Sequence, residues 1–194
     1  MDCITFSDVS FAYPAEEAEE QPHYIFSHFS GSIPPSFTVL IGPNGSGKST
    51  FLMLASGRLI PQEGQCLLFE EDIAHLDENT RSELASVIYQ NMEFDEKGSV
   101  SHLLGIVYNK GTFKGRAQGL GHGDLLAEVI EQFELSSVLD HGLMKLSKGE
   151  LQRVLLAFSM LYGSAAIFMD EPFFALEPRQ KESALAYLRD YAAR

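Results

Sequence analysis

Short apolar runs broken by glycine, proline and charged clusters set the pattern along this chain. Residues 3–13 alternate apolar and polar positions and predict a strand. Glu16, Glu17, Glu19 and Glu20 follow between Pro14 and Pro22, which marks a solvated hairpin tip. Residues 24–29 and 37–41 are two further strand candidates, divided by Gly31, Pro34 and Pro35. The second is apolar enough to read as a buried strand. Phe51 to Ala55 predicts a helix that Gly57 ends. A short strand over 65–69, a helix with acidic residues in its first turn over 77–84, and another strand over 85–89 complete this half, stopping at Gln90.

From residue 91 to residue 145 the character changes. β-branched runs thin out, Gly111, Gly115, Gly119, Gly121 and Gly123 predict a glycine-rich loop, and residues 125–133 show helical spacing. This predicts a small helical lobe over 91–145, inserted between core segments 1–90 and 146–194. Residues 151–161 predict a helix, 165–169 a buried strand of parallel type, and 178–193 a polar helix.

Composition narrows the options. The 194 residues suit one domain with a substantial core. Fourteen Lys and Arg against 27 Asp and Glu give a net charge of −13. Such a surface cannot replace the counterions of DNA or RNA, so nucleic acid is excluded as a partner. Direct docking on anionic lipid is disfavoured too, and work at a membrane would need another protein as holder. The apolar stretch 155–169 is interrupted by Ser159, Gly163 and Ser164, and fits a helix plus a buried strand better than a span. Met1-Asp2-Cys3 is no secretory leader, and Cys3 and Cys66 form no metal spacing, so two reduced cysteines in cytosol are expected.

The chemistry concentrates in Gly42-Pro43-Asn44-Gly45-Ser46-Gly47-Lys48-Ser49-Thr50, which fits G-x-x-x-x-G-K-[ST]. Its glycines allow successive N–H groups to point inward, and the following helix adds its positive end. Lys48 is placed to reach the β- and γ-phosphates of a nucleotide, and the Ser49 hydroxyl to take a position on Mg²⁺. A chance glycine turn is the plain alternative, and the flanking strand and helix signals argue against it. The fold class implied is α/β, a P-loop NTPase core with a small antiparallel β lobe and the inserted helical lobe.

Ala166-Ile167-Phe168-Met169-Asp170-Glu171 is an apolar strand ending in two carboxylates. In a P-loop core such a strand delivers a metal-shell carboxylate, here Asp170, and Glu171 could polarise an attacking water. Alone, the pair would only start the turn at Pro172. Leu146-Ser147-Lys148-Gly149-Glu150-Leu151-Gln152-Arg153 opens the helix leading to that strand, and Ser147 with Glu150 reads as a capping box. With this segment the chain closely resembles the nucleotide-binding subunit of ATP-binding-cassette (ABC) transporters, over nearly its whole length.

The resemblance implies several roles. Ser147 and Gly149 would contact the γ-phosphate of ATP bound on the other subunit of a homodimer or heterodimer. Tyr13 would stack on adenine, with a tyrosine packed in the core as the plain alternative. Gln90 would be the lid glutamine that touches Mg²⁺ or water, and Phe174-Ala175-Leu176-Glu177 would line the dimer interface. Catalysis would rest on Glu171, Gln90 and Lys48, nucleotide binding on Tyr13 and residues 44–50, and the metal on Ser49, Gln90 and Asp170. A transmembrane permease would dock near Gln90 and the helical lobe, holding the chain on the cytoplasmic face.

Three departures stand out. Lys148 replaces a signature glycine, and Glu177 replaces an aspartate. None of His23, His28, His75, His102, His122 or His141 takes the position of the family's switch histidine, which predicts slow hydrolysis by these residues alone. Two alternatives stay open: a soluble cassette used for assembly or division, and a catalytically weak regulatory ATP binder. Asp95-Glu96-Lys97-Gly98 and Asn109-Lys110 hint at GTPase motifs, but Thr112 stands where a guanine-reading aspartate belongs.

Overall fold

The computed structural model describes residues 2–14, 23–89, 92, 98–111 and 122–193. They form two compact units, residues 1–84 and 85–194. The predicted hairpin tip at 15–22 and Gln90 lie outside the described residues, as do Gly115, Gly119 and Gly121.

The first unit is built on an antiparallel sheet of order β2-β1-β3-β4. Its strands are β1 (Ile4–Ala12), β2 (Tyr24–Ile33), β3 (Glu63–Leu68) and β4 (Glu71–Asp72). In β1 the alternation Ile4, Phe6 and then Val9, Phe11 buries one face, shifting by one residue at a bulge around Asp8. Asp8 (φ 54°) and His28 (φ 52°) both turn left-handed there and join side chains, Nδ1 to Oδ1 at 3.0 Å. Gly64 (φ 79°) passes so close that a Cβ would overlap the Asp8 carbonyl oxygen. Gly64→Ala should therefore destabilise the unit by about 2–4 kcal/mol, combining left-handed strain with overpacking. Urea unfolding would measure it, and an unchanged midpoint would show that the bulge yields at little cost.

Helix α1 (Lys48–Ala55) lies against this sheet. Phe51 in its first turn meets Phe6 (centroids 4.8 Å apart), Phe29 (6.2 Å) and Phe26 (6.4 Å), so four rings fix the helix start on the sheet. Gly57 (φ 70°) ends the helix as the sequence predicts. The Cys66 thiol donates to the Leu54 carbonyl (3.6 Å) and is pushed up to about 12, chiefly by burial and secondarily by the charge of Asp72. Such a thiol stays protonated and inert, and packs as an apolar group. Helix α2 (Glu78–Leu84) closes the unit, and Asp77 caps it by accepting from the Thr80 N–H (3.0 Å).

One expectation fails. Residues 37–41 form no strand: the segment is irregular, and Phe37, Val39, Leu40 and Ile41 are exposed, Ile41 to 88%. A strand exists by its ladder, and among the described residues no strand pairs with this segment, so an apolar run alone does not make one.

The second unit pairs β5 (Ala85–Ile88) with β6 (Ala166–Met169) in parallel, Ala85 opposite Ala166 and Ile88 opposite Met169. Parallel neighbours require a long crossover, and α3 (Val100–Lys110), α4 (His122–Gln132) and α5 (Lys148–Tyr162) lie within it. Gly123, expected in a loop, falls inside α4. Helix α6 (Pro178–Ala193) follows β6. Leu104, Val129, Leu135, Leu156, Met160 and Leu161 make the core, with α5 running through its middle. Among the described residues no helix is long and apolar enough to cross a membrane.

Candidate functional site

The loop at residues 42–50 lies wholly in the first unit. Gly45 (φ 79°) and Gly47 (φ 87°) both take the left-handed backbone that L-residues avoid. At Gly47 space is also closed, since a Cβ would sit 2.8 Å from Ile25 Cγ2. Ser46 N–H donates to the Pro43 carbonyl (3.3 Å), which curls the loop back on itself. Lys48 Nζ donates to the carbonyls of Gly42 (3.0 Å) and Pro43 (2.8 Å). The lysine thus braces the loop it belongs to, with its charge held at the helix start and a third N–H still to give.

The start of α1 has no side-chain cap and no acidic residue in its first turn. Neither a cap nor a first-turn carboxylate therefore offsets its leading N–H groups and its positive dipole end. Ser49 is exposed there, as are Asn44, Gly45 and Ser46 just before it. An anion is the group this end lacks.

Thr50 is different, only 6% exposed, and its hydroxyl lies 3.2 Å from that of Tyr13. Tyr13 is 45% exposed, so the alternative of a tyrosine buried in the core is set aside. The structure thus brings Tyr13 to the loop helix across 37 positions of sequence.

In the second unit, α5 begins with the capping box expected from the sequence. Ser147 N–H donates to Glu150 Oε2 (2.8 Å), and Glu150 N–H donates to Ser147 Oγ (3.3 Å). The Ser147 backbone N–H, then its hydroxyl, hold the Glu150 carboxyl below the usual carboxylate range. Its contribution is therefore complete above that range and is lost as pH falls through the lowered value. Gly149 sits where a Cβ would come within 3.0 Å of the Ala175 carbonyl oxygen. Gly149 and Ala175 are thus in close approach, a pairing the sequence did not reveal. Arg153 Nη1 donates to the carbonyls of Phe133 (2.8 Å) and Glu134 (2.7 Å), tying α5 to the end of α4.

Asp170 and Glu171 follow β6. Asp170 N–H donates to the Ile88 carbonyl (2.9 Å), extending the ladder by one residue and fixing where its carboxylate starts. Glu171 is exposed, with φ 48°, and its carbonyl accepts from Phe174 N–H (3.1 Å). Sequence reasoning passed over the Gly42 and Pro43 carbonyls that hold Lys48, since every residue carries such a group. Gln62, whose side-chain amide bonds both polar groups of Ala12, gave no signal in the sequence either.

Three comparisons bear on this arrangement. A family model described as ABC transporter matches residues 28–174. The thiamine import ATP-binding protein ThiQ of Chelativorans sp. is 33% identical over 185 residues, 94% of this chain and 69% of that protein. The probable multidrug ABC transporter ATP-binding protein YbhF of Escherichia coli K12 is 30% identical over 141 residues, and the match spans 72% of this chain but only 23% of that protein. Among solved structures, the dimeric bacterial ABC transporter cassette MJ0796 superposes with a TM-score of 0.80 at 22% identity, covering 98% of this chain and 83% of that one. An Atm1-family exporter with ATP bound gives a TM-score of 0.78 at 22% identity, over 97% of this chain and 32% of that one.

Proposed function

The chain belongs to the ABC transporter family, and from that premise we propose that it is an ATP-binding and ATP-hydrolysing subunit coupling dimer closure to a transmembrane partner. The observation that carries this reading is the braced loop at the uncapped start of α1, with Lys48 held by two loop carbonyls. Backbone N–H groups, a fixed ammonium and a helix dipole converge there, which suits a triphosphate more than any neutral ligand.

The roles follow residue by residue. Lys48 neutralises the β- and γ-phosphates, Asn44, Gly45, Ser46 and Gly47 offer backbone donors, and the Tyr13 ring faces the base. Ser49 in the first unit and Asp170 in the second would each be offered to Mg²⁺ as an oxygen donor, as would Gln90, which lies outside the described residues. A hydroxyl, a carboxylate and an amide carbonyl are the hard donors this cation takes. Among the described residues no group of three or more His, Cys, Asp or Glu converges, and a cation bound largely through phosphate and water needs none. When bound, Mg²⁺ would offset charge on the β- and γ-oxygens. Glu171 accepts the proton of the attacking water. Ser147 and Gly149 present the start of α5 to nucleotide on a second cassette, identical or related. A permease at the cytoplasmic face is the membrane partner, in keeping with a surface too acidic to bind anionic lipid itself.

The test is titration with a fluorescent ATP analogue in Mg²⁺, with GTP as competitor, followed by phosphate release and capture of tagged chain from membranes. ATP should bind, GTP should compete because a ring face does not read base edges, and a permease should co-purify. A chain that binds no nucleotide ends this reading.

A further inference from the structure

The ring of Tyr13 is held at three points although nearly half of it is exposed. Its hydroxyl meets Thr50 Oγ1 at 3.2 Å. Its ring packs edge-on against Phe11, centroids 5.1 Å apart at 87°. The third restraint acts on the backbone just before it. β1 ends at Ala12, and its pairing with β3 already stops at Ser10 opposite Glu63. There Gln62 takes over the ladder with its side chain: Ala12 N–H donates to Gln62 Oε1 (3.0 Å), and Gln62 Nε2 donates to the Ala12 carbonyl (2.7 Å). Gln62 N–H also donates to the Ser10 carbonyl (3.0 Å). A glutamine amide carries one donor end and one acceptor end, and here it imitates the paired peptide that β3 no longer provides.

We propose that Gln62 is a positioning residue for nucleotide binding: it clamps the Ala12 backbone so that Tyr13, tethered to Thr50, presents its ring to the base at a fixed angle. An exposed tyrosine just past a strand end gains little from burial and would otherwise sample several rotamers. Clamping it beforehand removes that ordering cost from binding. The ring is needed for the base and not for the phosphates, so the clamp should matter only to ligands that carry a base. This inference rests on the reading that Tyr13 faces the base.

The experiment compares Mg-ATP with Mg-tripolyphosphate, which has the phosphates and no base, on the parental chain, Gln62→Ala, Tyr13→Phe and Tyr13→Ala. Thermal melting is run on each variant. Gln62→Ala should weaken ATP about threefold to tenfold, the range of one or two net hydrogen bonds, and leave tripolyphosphate within about twofold. Tyr13→Phe, which keeps the ring and drops the tether, should weaken ATP to a similar extent. If Gln62→Ala binds ATP like the parent while Tyr13→Ala weakens it, the clamp is overturned and the base reading stands. If Gln62→Ala weakens both ligands equally, Gln62 supports the loop as a whole and the proposal fails. If Tyr13→Ala binds ATP like the parent, the base reading itself falls and the clamp with it.

Discussion

Replacing Lys48 by alanine should lower Mg-ATP affinity by about 100-fold or more, while the first unit keeps its melting temperature within a few degrees. The loss is that large because one side chain does two jobs. Its ammonium supplies charge-assisted hydrogen bonds to phosphate, and contacts of that kind outweigh neutral ones by about twofold in energy. It also donates to the Gly42 and Pro43 carbonyls, at 3.0 Å and 2.8 Å, so alanine removes the brace that holds the loop. Fold stability should be spared, because the four-ring cluster around Phe51, and not Lys48, anchors α1 to the sheet. Fluorescent-analogue titration measures the affinity, and its salt dependence separates the two jobs. The residual binding of Lys48→Ala should be less sensitive to ionic strength than parental binding. Unchanged affinity would remove the phosphate-loop assignment.

What sequence disclosed about this site divides by distance along the chain. The loop, the end of α1 at Gly57 and the capping box of Ser147 and Glu150 each depend on residues within eight positions of each other. Their chemistry is fixed by local backbone geometry, so they were legible. β6 was legible as well, since an unbroken apolar run bounded by Ser164 and Asp170 has few other uses. The link between Tyr13 and Thr50 was not, because nothing in either residue names a partner 37 positions away. Gln62 was invisible for a further reason: a surface glutamine is ordinary until its two amide ends are seen on one peptide unit. Residues 37–41 show the opposite failure. Their pattern states a demand for burial, and the segment is nevertheless irregular and exposed in the described structure. Periodicity reports which faces should be covered, and hydrogen-bond pairing is a separate condition.

Glu171→Gln should cut phosphate release by about 100-fold or more and leave ATP affinity within about threefold. General-base catalysis contributes on that scale, and glutamine keeps size and polarity while losing the proton acceptor. The rival is that Glu171 is only the residue that turns the chain after β6. Its backbone speaks to this. With φ at 48° the residue occupies a left-handed conformation that costs an L-side chain about 1–2 kcal/mol, where glycine or asparagine would serve a plain turn better. The turn itself is held by main-chain atoms, the Asp170 N–H on Ile88 and the Glu171 carbonyl under Phe174 N–H. Neither bond needs a carboxylate. A left-handed residue other than glycine or asparagine at the end of β6 is the pattern expected of a functional residue. Glu171→Gly, whose backbone takes this φ freely, should lose hydrolysis as fully as Glu171→Gln, as expected if the carboxylate and not the turn matters. A Glu171→Gln chain that releases phosphate at the parental rate would reduce Glu171 to a turn residue, and the proton acceptor would have to be sought elsewhere.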